Sequence, residues 1–157
     1  MGSYGAACAY EYEYDVEPDV EGWKLKNDPP VEKRIDDSLR AEITQAEQVI
    51  GRPDADEDSS VYSRETLNIA IAFLRAQSTQ FRKMYGFCAP VPQIGPGPDG
   101  SVDLHWKQEG WELLVNIPQG SNQQAAFYGD DYGTQTIKGT LAPSKINYGI
   151  IAWLTHK

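Results

Sequence analysis

Between Ala89 and Ser101 the chain reads APVPQIGPGPDGS. A run this dense in proline and glycine stops a helix and interrupts a sheet ladder. Proline has no amide proton to donate, and glycine loses more backbone freedom on ordering than any other residue. The hydrophobic period changes across the run. Before it, apolar residues recur every three or four positions; after it, every two. A chain of 157 residues is enough for one domain with a sizeable core. Helices and strands are therefore expected to be segregated along it. The expected fold class is α+β: an antiparallel β-meander of three to five strands packed against a helical pair and a short C-terminal helix.

The helical half starts at Asp28-Pro29-Pro30, an acidic cap followed by prolines that a first turn tolerates. Val31, Ile35, Leu39, Ile43, Ala46 and Ile50 then form one apolar stripe, and Gly51 with Pro53 ends it. The first helix is expected at about 29–50. A second, at about 63–86, is capped by Ser63; its stripe is Leu67, Ala70, Ile71, Leu74, Phe81 and Tyr85, with Phe73 and Met84 beside it.

Past the Pro/Gly run, read as an extended connector with a turn at Asp99-Gly100, the sheet is expected over about 101–141. Val102, Leu104 and Trp106 alternate with Asp103, His105 and Lys107. Gly110 is expected to supply a positive φ in the hairpin before Trp111. Leu113, Val115 and Ile117 share the next apolar face, and GDDYG reads as a later turn. A helix at about 144–155, carrying Ile146, Ile150, Trp153 and Leu154, closes the domain.

Pro90, Pro92, Ile94, Pro98, Asp99, Gly100, Leu104 and Trp106, with Trp153-Leu154 at the end, give the pattern P-x-P-x-I-x-P-x-P-D-G-S-V-x-L-x-W. In this the second half of the chain resembles a loosely defined set of small, uncharacterised bacterial proteins. The resemblance implies a small α+β domain and transfers no functional residue.

Charge narrows the partners. With 14 basic and 23 acidic residues the formal net charge is -9. Nucleic acid and anionic membrane both call for a positive face, so neither is the expected partner. No run approaches the roughly 18 apolar residues of a membrane span. The start, MGSYGAACAYEYEYD, has neither a basic head nor an apolar core of signal-peptide length. Cys8 and Cys88 are too few for a disulfide framework or a zinc site between them, and Cys88 reads as a small hydrophobe. The expected location is the cytoplasm.

Three constellations bear on chemistry. In DADEDSSVYSRE, Asp54, Asp56, Asp58 and Glu65 occupy the first, third, fifth and twelfth positions of a calcium loop. Against this, Ser59 stands where the sharp turn calls for glycine, Tyr62 is a poor ligand, and Arg52-Pro53 breaks the entering helix. An acidic linker ahead of a helix dipole accounts for the same residues, so the expectation is no cofactor, with calcium on Asp54, Asp56, Asp58 and Glu65 as the alternative. Asp130 and Asp131 are paired carboxylates of a kind sugar and metal sites use, and equally the residues a turn prefers. His105 lies on the polar side of its strand, where a solvated histidine is the expected outcome.

Aromatic residues suggest binding instead. Tyr10, Tyr12 and Tyr14 alternate with acids over the first segment, residues 1–28, set apart from the domain at 29–157. They read either as an edge strand on the chain's own core or as an arm that adds to another subunit. Of Trp106 and Trp111, one is expected in the core and the other, Trp111, on the surface near Tyr128 and Tyr132. The expected function is non-enzymatic: a protein-binding regulator or accessory subunit, for instance an acidic, antitoxin-like partner of a basic protein, or a self-associating chain; the alternatives are a calcium-binding module using the 54–65 acidic loop and a small enzyme using Asp130 and Asp131.

Overall fold

The computed structural model describes residues 31–50 and 61–157, with side chains from Leu39 onward. Helix α1 (Val31–Val49) and helix α2 (Arg64–Tyr85) precede five strands: β1 (Gln93–Pro96), β2 (Val102–Lys107), β3 (Glu112–Ile117), β4 (Ala125–Asp130) and β5 (Thr136–Leu141). A short helix α3 (Tyr148–Trp153) ends the fold. The strands pair in chain order, every pair antiparallel. This is the expected α+β meander, with five strands.

The alternation sets the layers. Val102, Leu104, Trp106, Leu113, Val115, Ile117 and Ala125 point to one face and are buried. Leu39, Ile43 and Ala46 of α1 and Leu67, Ala70, Phe73, Leu74 and Phe81 of α2 pack with them in one core. Each fully buried large side chain contributes roughly 1.5–3 kcal/mol. Tyr62, beneath the start of α2, donates its hydroxyl to the Ala46 carbonyl at 2.7 Å and so ties the two helices together. Ser63 caps α2 as expected, its Oγ accepting from the Thr66 amide at 3.1 Å. Gly86 ends α2 at φ 78, where its amide reaches the Arg82 carbonyl.

Gln77 is buried in α2 and spans to the far end of the chain. Its amide donates to the Lys145 carbonyl and accepts from the Asn147 amide, both at 3.0 Å. Asn147 in turn caps α3. Trp153 of α3 then lies on Gly129, where a Cβ would come within 2.9 Å of the indole.

Four expectations are corrected. The Pro/Gly run is not merely a connector, because β1 lies inside it. Ile94 stands opposite Leu104 and extends the apolar row, and Pro96 sits at the end of an edge strand, where proline is tolerated. Gly110 is not among the glycines with positive φ; the hairpin closes through Gln108 N–H to the Trp111 carbonyl at 2.9 Å. Tyr85 and Met84 are exposed, because the last turn of α2 runs beyond the core. Cys88 is more than a small hydrophobe: it is buried and also disulfide-bonded. Among the described residues no helix is long and apolar enough to cross a membrane.

Candidate functional site

Helices cover one face of the sheet. The opposite face carries side chains in rows set by the register. One row runs Gln93, His105, Leu114, Tyr128 and Lys138; the next runs Lys107, Glu112, Asp130 and Thr136. His105 and Glu112 meet diagonally, Nε2 to Oε2 at 3.0 Å, both side chains about a third exposed. Asn116 donates to Ser101 Oγ at 2.8 Å and to Asp103 Oδ1 at 2.7 Å. His105, Glu112, Asp103 and Asn116 are thus already engaged with neighbouring side chains.

At the β1 edge, Glu42 of α1 accepts from the Ile94 amide at 3.4 Å. Beside it lies a shallow, open groove of about 390 Å³ lined by Glu42, Gln45, Gln93, Asp103, His105 and Leu114. His105 therefore borders a concavity, but its Nε2 is turned to Glu112. Among the described residues no serine, threonine, cysteine or lysine lines the groove.

The β4–β5 turn is built more tightly. Asp130 Oδ1 accepts from the Tyr132 amide at 2.7 Å, and its Oδ2 accepts from the Tyr128 hydroxyl at 3.1 Å. Asp131 Oδ1 accepts from the amides of Gly133 at 2.9 Å and Gln135 at 3.0 Å. These backbone bonds, Gln135's first, hold the Asp131 carboxyl below its ordinary value. The pair is a turn clamp that accepts from three backbone amides and the Tyr128 hydroxyl.

What the clamp holds is unusual. Tyr132 sits at φ 56, a left-handed conformation that a bulky residue rarely adopts. Its ring is 51% exposed, and Tyr128 beside it is 42% exposed. The Tyr128 phenol is raised above its ordinary value chiefly by its bond to Asp130. That of Tyr132 is raised by desolvation and by the charges of Glu112 and Asp130. Both rings remain protonated donors through neutral pH.

Of the residues singled out by sequence, Tyr128 and Tyr132 are brought together at this turn. Trp111 is not with them. It shares parity with Leu113, Val115 and Ile117, so the hairpin turns it inward, and it has no exposure. Its Nε1 has no hydrogen-bond partner among the described residues. Both Trp106 and Trp111 are core residues, and Trp106 donates to the Pro90 carbonyl at 2.9 Å. Glu65 is exposed in the first turn of α2, where an acid suits the helix dipole. Asp54, Asp56 and Asp58 lie outside the described residues, as do Tyr10, Tyr12 and Tyr14. Among the described residues no cluster of three or more histidine, cysteine or acidic side chains is arranged to hold a metal. Sequence reasoning missed Gln77 and read Tyr62 only as a poor ligand. A buried polar residue inside an apolar stripe was the available signal for Gln77.

Comparison with family models, curated proteins and solved structures returns no match, and no function transfers from them.

Proposed function

We propose that this chain is a non-enzymatic protein-binding module, an acidic regulator or accessory subunit whose partner docks on the aromatic β4–β5 turn. One observation carries the reading: an exposed tyrosine held in a left-handed conformation by two carboxylates. Glycine or asparagine would occupy that position with less strain. Strained backbone that the surroundings enforce is concentrated at binding sites. Tyrosine is also a preferred interface anchor, large and stiff with one polar end. The net charge of -9 favours a basic partner. The disulfide at Cys88 argues for an oxidising compartment rather than the cytoplasm, whose thiol pools keep such bonds reduced.

The test is a stability-against-binding comparison. Tagged wild-type chain is used to capture proteins from its source cells at low and high salt, beside Tyr132→Gly. The expected result is a basic protein retained at low salt, weakened at high salt and lost with the variant. The variant itself should melt no lower than wild type, because glycine relieves the strained φ. A variant that melts well below wild type, or that captures the same protein equally, removes this reading.

A further inference from the structure

The two edges of the sheet are finished differently. At β1 the outward amide of Ile94 is taken by Glu42 of α1, and Pro96 has no amide proton to offer. Among the described residues nothing comparable closes β5. The Asp131 amide donates to the Gln135 carbonyl at 3.1 Å, which fixes the phase of the β4–β5 ladder. The bonded pairs then include Ile137, Gly139 and Leu141, and the backbone groups of Thr136, Lys138 and Thr140 point outward. All three residues are exposed, and no hydrogen bond among the described residues reaches their amides. A row of unpaired backbone groups is a template for an added strand.

Charge and side chains say which strand fits. In a chain of net charge -9, residues 132–157 hold no aspartate or glutamate and carry Lys138, Lys145 and Lys157. Asp130 and Asp131, at the turn before β5, already accept from the turn's own donors. Exposed charges farther off than about 8–10 Å are screened, so the edge is locally basic. Lys138 lies on the open face, across from Tyr128. On the helix side Phe127 and Ile137 are only partly buried, and the Phe127 ring lies against Gly139, where a Cβ would come within 3.2 Å of it. We infer that β5 is a docking edge for an extended acidic peptide of another protein. The peptide adds to the five-stranded sheet as a further strand, its carboxylates beside Lys138 and its apolar side chains over Phe127 and Ile137. Main-chain bonds supply affinity, and the two-sided pattern supplies selectivity. A second copy is the poorer occupant, because β5 paired with itself brings two Lys138 side chains to one basic edge. The site stands apart from Tyr132 and holds whether or not the turn binds anything.

The test uses the full chain and a labelled peptide of about ten residues, strand length, that alternates glutamate with valine. Fluorescence anisotropy is expected to show saturable binding that weakens in salt and falls several-fold with Lys138→Glu. A lysine–valine peptide of the same length should not saturate. Backbone NMR then reads hydrogen exchange residue by residue. With the glutamate peptide bound, the amides of Thr136, Lys138 and Thr140 should slow several-fold. Those of Ile137, Gly139 and Leu141, already bonded to β4, should stay as they were. No saturation by the glutamate peptide, equal binding of the lysine peptide, or an unaltered Lys138→Glu complex would overturn the acidic occupant. Protection that does not alternate along β5 would overturn strand addition. A dimer that forms without peptide and already protects the same three amides would put a second copy on the edge and overturn the proposal too.

Discussion

On the helix-covered side of the sheet Leu104, Leu113, Val115 and Ile117 have no exposure. On the other side their neighbours in sequence, Asp103, His105, Leu114 and Asn116, stay half-buried, with Asn116 bonded to Asp103 and His105 to Glu112. The two faces are interleaved residue by residue in the same strands, so local propensity cannot distinguish them. What differs is the third dimension. One face is closed by α1, α2 and α3 and its contribution is to stability. No helix among the described residues covers the open face, and the β4–β5 turn at its end holds Tyr132 at φ 56.

The largest expected effect tests that division directly. Leu104→Ala removes a fully buried side chain from the closed face and is expected to cost about 2–5 kcal/mol in urea unfolding. Leu114→Ala, the register neighbour of His105 on the open face, should cost less than about 1 kcal/mol. Equal losses would mean that something covers the open face, and the contrast would have to be abandoned.

The next effect sharpens the contrast within the closed side. Gln77 is polar and buried, and its amide joins α2 to the segment leading into α3. Gln77→Ala would leave the Lys145 carbonyl and the Asn147 amide unpaired, at an expected cost of about 2 kcal/mol. Native-state hydrogen exchange should show the loss concentrated in α3. If the loss is spread evenly over the sheet, Gln77 is ordinary core filling rather than a tether.

These two sites also mark how far the residues could be read in advance. Both helices, the Ser63 cap and four of the strands follow from period and punctuation, because burial on one face imposes a spacing that no other constraint produces. β1 escaped because Pro96 and the surrounding glycines mask a four-residue strand whose only apolar member is Ile94. Trp111 was misplaced because its face depended on the backbone of Gly110, one dihedral that the letters leave open. Tyr128 and Tyr132 were legible as aromatics near a turn. The left-handed φ and the two-carboxylate clamp were not, since both arise from where the carboxylate oxygens of Asp130 and Asp131 land in space.

The smallest expected effect probes that clamp by pH. Asp131 has its folded carboxyl held below the ordinary value of 3.8 by the amides of Gln135 and Gly133. A depressed acid contributes stability that is present above its unfolded pKa and lost as pH falls through the folded one. Asp131→Asn keeps an oxygen acceptor but no charge. The variant should therefore melt slightly below wild type near neutrality, and the gap should close as pH drops below about 3.8. Because the group is exposed, added salt should narrow the gap as well. A gap that persists unchanged in acid would show that the turn is held by shape rather than charge. Tyr132 would then owe its conformation to the hairpin backbone, and the clamp would no longer set the open face apart from the closed one.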